Sequence, residues 1–172
     1  MNASNVAKAL TGLYLKEHTF MGQVTLEVEK EGLVDLLSTL KSHPYGFEVL
    51  MDLTGVDYLD PEVKTKVIYF LHQPTTLERI RVSVYVKRDE SLPSVVSLWT
   101  GADWYERELF DLYGVKFDGH PDLKRILMPD DWMGHPLRRD YPLTEESVAF
   151  KHGVEPKIPS EIIPYAKTPR TS

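Results

Sequence analysis

Cysteine is absent from the 172 residues. With it go disulfides, thiol nucleophiles, thiolate zinc sites and any iron–sulfur cluster held by this chain's own side chains. Long apolar runs are missing too. None approaches the ~18 residues of a membrane span, and the N-terminus lacks the charged-then-apolar order of a secretion signal. Nor is there a surplus of positive charge: 20 Lys and Arg stand against 26 Asp and Glu, a net −6, which argues against non-specific nucleic-acid binding. No phosphate-cradling glycine loop of the G-x-G-x-x-G or G-x-x-x-x-G-K-[ST] kind occurs, and no G-x-S-x-G nucleophile elbow. What is present is an ordinary globular balance, 42% hydrophobic and 27% charged residues. A chain of this length buries about two-thirds of its unfolded surface without a cross-link. It is expected to be soluble and cytoplasmic.

Charge and proline are unevenly spread. Residues 1–114 hold 11 Lys and Arg against 17 Asp and Glu, and so carry the whole net charge, whereas residues 115–172 hold nine of each. The latter stretch also has eight of the twelve prolines, from Pro121 to Pro169. Proline lacks a backbone N–H and disfavours helix in the residue before it. The division expected is a compact domain over 1–114 and an extended proline-rich C-terminal arm over 115–172.

The domain reads as α+β, a mixed four-stranded sheet with helices packed on it. Val6, Leu10, Leu13 and Tyr14 recur at helical spacing within 5–17, with Ser4 as N-cap. Val24, Leu26 and Val28 alternate with Thr25, Glu27 and Glu29 in a strand over 22–30. Leu33, Leu36, Leu37 and Leu40 line a helix ended by Pro44, and Phe47, Val49, Met51 and Leu53 are in phase for a second strand. The helical connection predicts that this second strand lies parallel beside the first. Residues 63–72 and 78–87 flank Gln73-Pro74-Thr75-Thr76-Leu77 and predict an antiparallel hairpin. A short helix over 94–99 follows. A longer one runs to Tyr113, with Asp103 and Glu106 as a capping pair, Arg107 and Asp111 spaced to pair, and Gly114 at the left-handed stop.

Three constellations bear on chemistry. Glu106, Glu108 and Asp111, with Arg107 among them, suit acid–base work in a cleft, the charge bias of a capped helix, or polar anchoring at a protein interface. Gly119-His120-Pro121 and Gly134-His135-Pro136 form a doublet fifteen residues apart. Their imidazoles and nearby aspartates suit a zinc or iron site, as in a free-standing metal-dependent hydrolase, or two chain reversals whose rings bond the backbone. Lys124, Arg125, Arg138 and Arg139 suit a phosphate, or salt bridges with Asp122, Asp130 and Asp140.

The stretch Glu106-Arg107-Glu108, then Asp111-Leu112-Tyr113, then His120, Lys124 and Ile126-Leu127 resembles the signature of the 30 kDa subunit family of respiratory complex I. Met128-Pro129-Asp130-Asp131-Trp132 and Gly134-His135-Pro136-Leu137-Arg138-Arg139-Asp140-Tyr141-Pro142-Leu143 are similar to its continuation, so the likeness spans Asp103–Leu143. The resemblance implies a non-catalytic scaffold subunit in the hydrophilic arm of a proton-pumping NADH:quinone oxidoreductase. It implies no cofactor in this chain, with FMN and iron–sulfur clusters in partner subunits and NADH and quinone as substrates of the whole. Partners implied are other hydrophilic-arm subunits, especially the one that forms the quinone site and the one that bears the last cluster. The location implied is peripheral, on the cytoplasmic face of a prokaryotic inner membrane, with membrane contact only through the complex. Glu106, Arg107, Glu108, Asp111, His120, Arg125, His135, Arg138, Arg139 and Asp140 are the expected interface set. Membrane-bound hydrogenases and other quinone-linked dehydrogenases use similar subunits and remain alternatives, as does an assembly chaperone. Ending at Ser172, the chain is expected to be separate from the quinone-site subunit, to which some relatives are fused.

Overall fold

The computed structural model describes residues 2–58, 65–88 and 90–141. Helix α1 (Ala3–Ala9) opens the chain, capped by Asn2, whose side chain accepts from the Asn5 N–H at 3.0 Å. The cap is therefore Asn2 and not Ser4, and the helix stops short of the expected residue 17. Strands β1 (Lys16–Phe20) and β2 (Gln23–Glu27) follow as an antiparallel hairpin. Met21 and Gly22 between them both take positive φ, +49° and +78°, as a two-residue turn matched to strand twist demands. Strand β1 carries no alternation to read, because all five of its residues are exposed. Its Lys, Glu and His suit a solvated sheet edge.

Helix α2 (Leu33–Lys41) buries Leu33, Leu36, Leu37 and Leu40 as the spacing requires. Strand β3 (Val49–Asp57) comes next, then the antiparallel pair β4 (Thr65–His72) and β5 (Arg79–Val86), joined by the expected loop. The sheet has five strands in the order β1-β2-β5-β4-β3, one more than the sequence pattern predicts. Strand β3 does not lie beside β2. It runs in the same direction but at the far edge, antiparallel to β4, and the parallel neighbour of β2 is β5. The crossover through α2 thus spans the sheet and leaves two places that the β4–β5 hairpin fills.

The expected phase of β3 also fails at one residue. Leu50 faces Leu71 and Asp52 faces Phe70, so Met51 is an extra residue bulged from the ladder. A bulge switches which residues face inward. Beyond it Leu53, Gly55 and Asp57 are buried, while Val49 and Met51 are exposed.

Every helix packs on one face of the sheet, in a single core that includes Val6, Leu36, Phe47, Tyr69, Val82 and Leu109. Residues 94–99 make one turn closed by the Val95 carbonyl in place of the expected helix, and Trp99 donates its indole N–H to Glu48 O at 2.8 Å. Helix α3 (Ala102–Tyr113) then crosses β3. The contact is close because Gly55 has no side chain: a Cβ there would lie 3.0 Å from Leu109 Cδ2 and 3.2 Å from the Tyr113 ring. Packing continues past Gly114. Val115 and Phe117 are buried, and β7 (Lys116–Asp118) pairs in parallel with β6 (Ser91–Pro93). Residues 142–172, most of the expected arm, lie outside the described residues. No helix among the described residues is long and apolar enough to cross a membrane.

Candidate functional site

Helix α3 ends as its sequence predicts. Gly114 adopts φ +73°, and its N–H closes the last turn on Phe110 O at 2.9 Å. The start differs. Gly101 precedes the first turn without a side-chain cap, and Glu106 does not reach back along the helix. It turns inward, fully buried, and accepts from Ser94 Oγ and from the Val95 N–H, both at 2.7 Å. Burial raises its pKa above the usual carboxylate range against those two hydrogen bonds. His120 Nε2 lies 4.0 Å from its carboxylate and 3.2 Å from Asp103 Oδ1. The other ring nitrogen, Nδ1, accepts from the Asp122 N–H at 3.1 Å. The first Gly-His-Pro is thus a chain reversal anchored to the N-terminal half of α3.

Five residues along the same helix, Asp111 is equally buried. Its Oδ2 accepts three successive backbone N–H groups, from Ile126, Leu127 and Met128, at 3.0, 2.7 and 2.8 Å. Arg125 meets Oδ1 at 2.7 Å. Burial alone would raise the Asp111 pKa, but these four donors outweigh it and hold the carboxyl below its usual range. Arg125 is a hub, also donating to Trp132 O and Gly134 O at 3.2 and 3.0 Å.

The second Gly-His-Pro caps the helix end. His135 Nδ1–H donates to Asp111 O at 2.8 Å, and burial lowers the pKa of this ring, favouring its neutral form. Arg138 donates to Tyr113 O at 2.6 Å, answering a carbonyl that the helix leaves unpaired. The expected pairing of Arg107 with Asp111 does not form. Arg107 lies over the Trp104 ring at 5.0 Å and donates to Lys124 O at 3.2 Å.

A further ionic cluster joins Arg139 and Asp140, both in the expected set, to Asp57, Thr65 and Arg88, which are not. Asp57, at the end of β3, is held by both arms of Arg88 at 2.6 and 2.8 Å, by Thr65 Oγ1 at 3.0 Å and by the Arg139 N–H at 2.8 Å. Arg88 also reaches Asp140 at 3.1 Å. Burial raises the Asp57 pKa, but Arg88 and the other donors outweigh it and leave it lowered. A signal was there to find: Asp57 follows Leu53 and Gly55 in inward phase, and a carboxylate on a core face demands a partner.

The predicted residues therefore divide by position. Asp111, Arg125, His120, His135 and Arg138 bind α3 to the segment 120–138 within this chain, and Glu106 ties it to residues 94–95. Glu106 and Asp111 have no exposed surface. Glu108 and the Arg139 side chain face outward, Arg107 is half-buried and Asp140 is exposed beside Arg88. The two histidines bond opposite halves of α3. Among the described residues no group of three His, Asp or Glu is placed to hold a metal ion. Around this collar stand exposed apolar side chains: Trp104, Leu127, Met133 and Leu137, with Met133 84% exposed.

Residues 26–147 match the family model described as the respiratory-chain NADH dehydrogenase 30 kDa subunit. The chain is 45% identical over 144 residues to the NADH-quinone oxidoreductase C subunit of Roseiflexus sp. (strain RS-1), covering 83% of each. To the C subunit of the Citrifermentans bemidjiense enzyme it is 44% identical over 125 residues, 72% of this chain and 77% of the relative. Its fold resembles a chain in the structure of the membrane-bound sulfane sulfur reductase, an archaeal respiratory membrane complex, with TM-score 0.69 at 21% identity, covering 81% of this chain and 85% of that one. The chain belongs to the family of the 30 kDa subunit of the respiratory-chain NADH dehydrogenase.

Proposed function

We propose that this chain is a scaffold subunit in the hydrophilic arm of a proton-translocating NADH:quinone oxidoreductase, and that it performs no chemistry itself. The supporting observation is the collar: the buried Asp111 of α3 organises 120–138, with Trp104, Leu127, Met133 and Leu137 exposed around it. Large apolar groups exposed in this way are costly in water and gain by docking. The half-buried and exposed polar groups Arg107, Glu108, Arg139 and Asp140 form the rim. The quinone-site subunit and the cluster-bearing subunit are the partners that this surface takes. FMN and iron–sulfur clusters belong to partner subunits, and the whole sits on the cytoplasmic face of the membrane.

Affinity isolation of this chain from gently solubilised membranes tests the reading. Co-elution of flavin, iron and NADH:quinone reductase activity is expected. Hydrogenase or another dehydrogenase activity would change the electron donor, and recovery of a lone chain would overturn the proposal. In the same preparation, Arg107→Ala is expected to lower the yield of intact complex while turnover per assembled complex stays unchanged. A full yield of complex with an inactive quinone site would contradict that role.

A further inference from the structure

Among the described residues the helices cover only one face of the sheet, and nothing covers the opposite face. Across it runs a depression of about 400 Å³ lined by residues of β1, β2, β4 and β5 alone. A second hollow, about 280 Å³, adjoins it near the β3 bulge and shares Arg81. The chain as a whole is acidic, yet the larger depression presents Lys16, Lys66 and Arg81 against the single carboxylate Glu27, with His18 beside them. Between the charges lie Ile68, Tyr85 and the 62%-exposed Phe20. Lys66 is held over the Tyr85 ring at 4.9 Å. Two polar atoms on this face are enclosed and have no hydrogen-bond partner among the described residues, Ser83 Oγ and Arg81 Nε.

We propose that this open face is a second docking surface, separate from the α3 collar, for a segment of a partner subunit in which carboxylates alternate with apolar side chains. The inference rests on the reading of the chain as a subunit of a larger complex. Carboxylates would meet Lys16, Lys66 and Arg81, where complementary charge sets register, and apolar groups would cover Phe20 and Ile68. The chain's own residues after Tyr141 carry four Lys and Arg against four Asp and Glu. They supply no surplus of negative charge, which favours a partner as the occupant.

The test places the photo-crosslinking residue p-benzoylphenylalanine at Phe20 in the complex isolated from membranes. A second sample carries Lys66→Glu with Arg81→Glu. Crosslinks to an acidic stretch of another subunit are expected, and the charge-reversed chain should be retained about tenfold less at moderate salt. Circular dichroism of the variant checks that it folds. Absence of a crosslink from an otherwise intact complex would overturn the docking surface and leave the scaffold reading standing. A crosslink to a second copy or within the same chain would overturn the choice of occupant. Failure of the unaltered chain to join any complex would refute the scaffold reading itself.

Discussion

Two fully buried acids on one helix, Glu106 and Asp111, are opposed in their proton chemistry. Asp111 has its carboxylate surrounded by donors and its pKa lowered. Its stabilising contribution is complete above the unfolded pKa of about 3.9 and is lost as pH falls through the lower folded value. Glu106 is raised by burial. Its contribution is complete below the unfolded value and fades as pH rises through the folded one. Asp111→Asn is therefore expected to cost about 3 kcal/mol at neutral pH, because it strands Arg125 and at least one backbone N–H. Urea midpoints measure this, and an unchanged midpoint would refute the anchoring role. Glu106→Gln keeps an acceptor for the Val95 N–H, and should flatten the fall in stability from mildly acid to alkaline pH. If the slope persists in the variant, another group carries it.

Among the elements, α3 depends on the left-handed residue that ends it. A Cβ on Gly114 would lie 2.0 Å from the Arg138 guanidinium and 2.6 Å from the His135 ring. Gly114→Ala should cost about 2 kcal/mol in backbone strain and displaced contacts, and should open residues 132–139 to limited proteolysis. Protection equal to that of the unaltered chain would argue against the collar. Elements that depend on local pattern were legible in the sequence. The alternation of β2, the hairpin of β4 and β5, the leucine face of α2 and the stop at Gly114 all come from short-range pattern. What was not legible needed distant neighbours. Strand β1 has no buried face to mark it, the Met51 bulge breaks a phase that looked continuous, and β3 finds its place only because β4 and β5 occupy the positions beside β2. The collar was half legible. Its residues stood out by type, but the spacing of Arg107 and Asp111 suggested a helix-surface pair where the fold gives Asp111 to Arg125.

For the molecule as a whole, the described structure has two surfaces and one core. If the collar docks, Trp104, 62% exposed here, loses its water. With Trp99 and Trp132 replaced by phenylalanine, its emission should move to shorter wavelength on assembly, and an unchanged spectrum in the purified complex would exclude it from the interface. The strand order has a further consequence, for synthesis on the ribosome. The strands at the middle of the sheet, β4 and β5, are made after those that flank them. Strand β3 gains its ladder partner β4 once residue 72 has left the exit tunnel, but until residue 86 has done so β2 has only β1. Before that point the nascent chain can hold only two separate pairs, β1–β2 and β3–β4, which β5 then joins. Its open face, and the inner face on which α3 will settle, come into being in one late step.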